Sequence, residues 1–126
     1  MLNASIVIYK HTINEISLLI STLSAHEFIS KIYLVDNSPE RTEKFLTLPV
    51  EYIFNGKNLG YGAAHNIAIR KTIEQNIPYH LVVNPDIEFE ASVLVEMLNF
   101  MNEQTNVGLL MPKVLYPNGD TQFLCK

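Results

Sequence analysis

Two aspartates and one glycine-asparagine segment are the places where this chain could do chemistry. Asp36 closes "KIYLVD" and Asp86 follows "LVVNP", each just past an apolar run. An Asp beyond a buried strand, fixed by the proline before it, is well placed to bind a hard divalent cation. Mg²⁺ or Mn²⁺ takes one or two protein carboxylates and completes its shell with phosphate oxygens and water. Such an ion neutralises charge on a departing diphosphate. Asp86 is the first candidate ligand. Glu88 is a weaker one, since it can equally face the other side or solvent. Asp36 could accept hydrogen bonds from a base imide N–H or a ribose hydroxyl. The plainer use of either aspartate is a turn or cap.

The segment between them, "NLGYGAAHNIAIR" (58–70), carries two of the five glycines. Read as G-x-G-x-x-G, "GYGAAH" has His65 where the third glycine should stand, and it follows the third strand rather than the first. The absence of G-K-[ST] excludes a Walker loop. Two readings stay open: a glycine-relieved turn into a helix, or close backbone approach to a ligand. In the second, Asn58 and Asn66 add donors and acceptors without charge. His11, His26, His65 and His80 have no ligand spacing, so ordinary structural positions are expected for each. Ser38 and Cys125 lack a legible base for nucleophilic catalysis.

The elements that must position these residues alternate. "SIVIY" (5–9) reads as a strand. "HTINEISLLISTLSAH" reads as a helix, with Ile16, Leu19, Ile20 and Leu23 on one face and capping-box spacing between Thr12 and Glu15. "KIYLVDN" (31–37) is a second strand, and Ser38-Pro39 suggests the cap of a short helix, "PERTEKFL". "VEYIFN" (50–55) is a third strand, followed by a helix from about Ala63 to Asn76 that Pro78 stops. "YHLVVN" (79–84) is a fourth. "SVLVEMLNFMNEQ" (92–104) is a helix with Leu94, Leu98 and Met101 on one face. "VGLLMPKVLY" (107–116) reads as a fifth strand or pair ending at the turn "PNGD".

This alternation predicts an α/β fold, a mostly parallel sheet with helices on both faces. Runs such as "IYLV" and "LVV" fit strands buried on both sides. Parallel sheets bind ligands beyond the carboxyl ends of their strands, and the polar residues cluster there: Tyr9 to His11, Asp36-Asn37, Asn55 to Asn58 and Asn84 to Asp86.

Bulk properties narrow the classes further. At 126 residues, 48% apolar and 17% charged, the chain is expected to form one globular domain. A net charge of −4, with Arg70-Lys71 the one adjacent basic pair, argues against nucleic acid. One cysteine excludes an internal disulfide and fits a reducing cytosol. The start has no signal-peptide pattern, and no apolar run reaches the ~18 residues of a membrane span. A cytoplasmic location is expected, with peripheral contact at the inner face of the membrane left open.

With these positions in hand, the chain resembles family 2 glycosyltransferases of the GT-A fold, particularly the rhamnosyltransferase-like branch. The matching stretches are "SIVIYKHTINEISLLISTL", "IYLVDNSPE", "NLGYGAAHNIAIR", "LVVNPDIEF" and "MPKVLYPNGDTQ", in family order across nearly the whole chain. The resemblance implies a nucleotide-diphosphate-sugar donor, UDP- or dTDP-linked, and a glycan or lipid-linked acceptor. It implies that Tyr9 and Asp36 hold the nucleoside. It carries the N-x-G-x-G…N segment over to Asn58, Gly60, Gly62 and Asn66, against nucleotide and sugar. The D-x-D element appears as Asn84-Pro85-Asp86, giving Asp86 the metal and Asn84 a nucleotide contact.

An inverting transferase also needs a base to deprotonate the acceptor hydroxyl. The family supplies it downstream of "PNGDTQ", and Asp120, in a turn, is a poor substitute. No catalytic residue is therefore assigned, and the chain reads as the donor-binding, N-terminal part of a longer enzyme. Two other classes compete: a non-catalytic sugar-nucleotide binding module, and a nicotinamide-dependent oxidoreductase suggested only by the α/β pattern and "GYG".

Overall fold

A computed structural model describes residues 1–122. The order of elements is β1 (Leu2–Ile8), α1 (Ile13–Ser24), β2 (Ile29–Asp36), a 3₁₀ turn (Glu43–Thr47), β3 (Glu51–Phe54), α2 (Tyr61–Glu74), β4 (Tyr79–Val83) and α3 (Ala91–Glu103). The chain divides into two compact units, Met1–Glu88 and Phe89–Lys126.

In the first unit the four strands form one sheet in the order β3-β2-β1-β4, and every pairing is parallel. Ile8 pairs with Asp36, Asp36 with Phe54, and Ile6 with Val83. All four carboxyl ends therefore emerge at one edge. The chain steps one way from β1 to β3, then crosses back to place β4 on the other side of β1. Right-handed crossovers in opposite directions put α1 and α2 on opposite faces. The order reverses between β1 and β4, which is where open α/β sheets bind ligands.

The sequence explains both helical layers. α1 buries Ile16, Leu19, Ile20 and Leu23, and the Thr12 hydroxyl accepts the Glu15 N–H at its start. Ala64 and Ala68 of α2 pack on Val7, Tyr33 and Val35, with Ile53 and Ile67 at the margin. Small side chains let that helix approach the sheet closely. It ends with Asn76 at φ +57°, a left-handed cap, and the Ile77 N–H closes back onto Thr72 O. Glu51, at the start of β3, pairs with Lys31 on β2 and Lys71 on α2. These half-exposed pairs are worth no more than about 1 kcal/mol each.

β1 begins three residues earlier than its apolar run. Asn3 and Ser5 are fully buried on the α2 side and survive there because α2 and β4 supply partners. Asn3 Nδ2 donates to Thr72 Oγ1 and Gln75 Oε1, and Ser5 Oγ lies 2.7 Å from both His65 Nδ1 and His80 Nε2. His80 Nδ1 lies 2.7 Å from Thr72 Oγ1, whose own proton goes to Ala68 O. Ser5, His80 and Thr72 thus form one buried relay leading to His65, whose Nε2 is buried without a partner among the described residues. Burial holds both imidazoles neutral, each lowered to about 4, with the neighbouring His65 adding to the shift at His80.

Two expected elements differ. No helix starts at Pro39, because Ser38 is engaged elsewhere: its Oγ accepts the Lys10 N–H and its own N–H goes to Asp36. The chain instead makes the 3₁₀ turn, anchored by buried Phe45 against Tyr52, with ring centroids 5.4 Å apart. Residues 107–116 form no strand, and their pairing is a single antiparallel bridge, Leu115 to Thr121. Among the described residues that apolar run has no neighbouring strand to complete a ladder. The turn at "PNGD" is present, closed by the Tyr116 N–H to Asp120 O and by Gly119 at φ +91°. Asp120 Oδ2 accepts from Asn118 within that turn, in the second unit. Cys125 lies outside the described residues. Among the described residues no helix is long and apolar enough to cross a membrane.

Candidate functional site

The rim at the carboxyl ends of the strands is built from backbone ties first. Beyond the strands, the ladder continues with Asn37 N–H to Ile8 O and Asn55 N–H to Asp36 O. Asn37, only 2% exposed, then acts as the hub. Its Nδ2 donates to Asn58 Oδ1 and Gly60 O, and its Oδ1 accepts from Asn55 Nδ2 at 2.9 Å. Asn58 Oδ1 also takes the Gly60 N–H. The glycine segment is thus fastened to the end of β2. Gly60, the N-cap of α2, sits at φ +88°, which only glycine adopts without strain. Gly62 has no such demand. A Cβ added there would meet nothing within 4 Å.

The expected site residues fall into two groups. Tyr9, Asn58, Gly60, Gly62, Asn66, Asn84 and Asp86 are exposed on or beside the rim of the first unit. Tyr9 stands at the β1–β4 switch point, 45% exposed, with Lys10 Nζ 5.3 Å from its ring centroid. Asp36 is different. It is 1% exposed, and its oxygens accept the Ser38 N–H at 2.9 Å and the Tyr52 hydroxyl at 2.5 Å. Burial, and then the hydrogen bond to Asp36, push the Tyr52 phenol up to about 12, so it stays a donor. The Asp36 carboxylate therefore braces the rim from beneath instead of lining its surface.

The glycine segment and the N-P-D turn meet through a residue with no expected role. Tyr61, in the first turn of α2, donates its phenol proton to Asn84 Oδ1. Its ring packs edge-on against His65, centroids 4.4 Å apart. Burial and then the negative charge of Asp86 raise its pKa. Asn84 O in turn accepts the Ile87 N–H, closing the turn that carries Asp86. Asn37 and Tyr61 both lay in plain sight, inside "VDNSP" and "NLGYG". An amide or phenol has no spacing rule that separates a tie from a surface residue, so neither stood out.

Among the described residues, no three His, Cys, Asp or Glu side chains gather into a cage for a metal ion. A magnesium-like ion does not require one, since it accepts a single carboxylate when phosphate oxygens complete its shell. Exposed Asp86, beside the Asn84 amide, is a hard-oxygen donor set of that kind.

Comparison with known proteins bears on the fold and the family. The low-salt glycan biosynthesis hexosyltransferase Agl10 of Haloferax volcanii is 27% identical over 120 residues, covering 85% of this chain and 39% of that protein. The crystal structure of S. aureus TarS superposes with a TM-score of 0.57 at 17% identity, covering 92% of this chain and 24% of TarS. That likeness supports the α/β, GT-A-like fold. The chain spans well under half the length of either protein. The model of the family described as glycosyl transferase family 2 matches residues 13–123, nearly the whole chain, and this protein belongs to that family.

Proposed function

We propose that this chain binds a nucleoside-diphosphate sugar on the rim and serves its transfer to a glycan or lipid-linked acceptor, with inversion at the anomeric carbon. One observation carries the reading: parallel strands bring Tyr9, the Asn58–Asn66 segment and Asn84–Asp86 to one edge, at the switch point, and Tyr61 joins the last two. Tyr9 offers an exposed ring to the base, and Asp36 bounds the nucleoside pocket from below. Asn58 and Gly60 shape the segment against nucleotide and sugar, Gly62 leaves open space for them, and Asn66 and Asn84 add amide contacts. Asp86 is the ligand for Mg²⁺ or Mn²⁺, which when bound offsets charge on the leaving diphosphate. UDP- and dTDP-linked sugars are the donors to try, rhamnose first, on the cytosolic side or at the membrane's inner face. We assign no catalytic base on this rim.

Thermal unfolding with UDP or dTDP, with and without Mn²⁺, tests the donor site. At ~100 times the dissociation constant a ligand adds about 2.7 kcal/mol, a rise of several degrees for a domain of this size. Asp86→Ala is expected to lose the Mn²⁺-dependent part of that rise. An undiminished rise removes Asp86 from the metal site.

Gly62→Ala separates folding from binding. It lies inside a helix at a φ that alanine accepts, so the protein alone is expected to gain about 0.5–1 kcal/mol. The added methyl occupies space assigned to the donor, so nucleotide-sugar affinity is expected to fall by about 10-fold, the effect of ~1.4 kcal/mol. Calorimetric titration of both proteins reads the two effects separately, and equal affinities would show that the space is not used.

A further inference from the structure

We infer that Tyr61 is a positioning residue for Asp86, clamping the N-P-D turn to the glycine segment so that the carboxylate meets its cation in a fixed place. This rests on the donor-site reading above. Among the described residues the Asp86 carboxylate accepts no hydrogen bond, so its position depends on where the turn's backbone carries the side chain. That backbone is a turn closed by Asn84 O and the Ile87 N–H, and Tyr61 holds the Asn84 side chain.

Tyr61 is itself well founded. It follows Gly60, whose N–H and carbonyl are tied to Asn58 and Asn37. Its ring rests on His65, only 3% exposed. His65 is bonded through Ser5 of β1 to His80 of β4. The phenol is thus anchored to the strands on both sides of the switch point. A free carboxylate on a turn fixed at one point is sensitive to the loss of that point, because small misplacements of a liganding group are costly.

The test is calorimetric titration of the whole chain with UDP and with dTDP, each with and without Mn²⁺. Tyr61→Phe keeps the ring on His65 and removes only the hydroxyl. It is expected to weaken Mn²⁺-dependent binding by about 5- to 10-fold, the effect of one lost hydrogen bond. Metal-free nucleotide affinity should stay unchanged, a separation that a merely structural role would not give. In an Asp86→Asn background, Tyr61→Phe should add nothing. If Asp86→Asn abolishes the Mn²⁺ effect and Tyr61→Phe leaves it whole, the clamp is wrong and the donor site stands. Equal weakening with and without Mn²⁺, or a further loss in the Asp86→Asn background, makes Tyr61 a direct ligand contact and overturns the positioning role. No Mn²⁺ effect in the unmodified chain, or a full one in Asp86→Asn, removes Asp86 from the metal site and the clamp with it, whereas no nucleotide binding at all removes the donor-site reading.

Discussion

Lowering the pH from about 7 toward 4 is expected to destabilise the folded chain by on the order of 3 kcal/mol through His65 alone. His65 titrates near 6.5 when unfolded but is held down to about 4 by burial in the fold. Between those values the unfolded chain binds more protons than the folded one, so stability is whole above the unfolded value and falls as pH falls. His80, lowered to about 4 by burial and by its neighbour, acts with the same sign. The imidazoles meet at Ser5 on β1 and face Thr72 and Tyr61 on α2, and among the described residues no carboxylate is hydrogen-bonded to either ring. Urea unfolding at several pH values between 4 and 7 checks this. His65→Asn, whose amide can stand near the Nδ1 position, is expected to flatten the slope in that window. A slope the variant leaves untouched would mean that the imidazole is charged in the fold.

Asp36→Ala is expected to cost about 2–4 kcal/mol of stability, while Asp36→Asn costs less. Hydrogen bonds to a charged acceptor are worth about 1.5–3 kcal/mol, and stranding a buried donor adds to the loss. Alanine leaves the Ser38 N–H without its acceptor and frees the Tyr52 hydroxyl. Both partners help to hold the rim: Ser38 receives Lys10 from the end of β1, and Tyr52 accepts the Thr42 N–H. Tyr52→Phe removes one of the two bonds and should fall below alanine, at about 1–3 kcal/mol. Denaturant midpoints that shift at constant slope report these differences. An Asp36→Ala protein as stable as the original would show that the carboxylate is not the brace described here.

Why some of this was legible and some not follows from the residues. The apolar run "IYLV" marks a strand buried on both faces, and β2 formed so, whereas "LVV" did not: Val82 of β4 is 44% exposed. The rim followed directly, because parallel strands place Tyr9, Asp36 and Asn84–Asp86 at one edge whatever their separation in sequence. The beginning of β1, ahead of Ser5, was hidden because Asn3 is polar, and only tertiary partners on α2 make its burial tolerable. Ser38 looked like a helix cap because local patterns cannot show that Lys10, twenty-eight residues away, takes its hydroxyl. The run 107–116 has strand composition, but strands need neighbours, and composition does not supply one. Gly60 and Gly62 look alike in sequence. Only the backbone separates a glycine required by its φ from one that leaves room.

The central claim is that one rim, carrying Asp86 and the glycine segment, receives a nucleoside diphosphate with its cation. Amide NMR spectra of the chain, recorded with UDP or dTDP and then with added Mn²⁺, test it most directly. The account predicts shifts at Tyr9, Asn58 to Asn66 and Asn84, and paramagnetic broadening centred on Asp86, with the opposite edge at Ser30 and Tyr79 unaffected. Broadening centred at that opposite edge, or nucleotide shifts that avoid Tyr9 and the glycine segment, would contradict it.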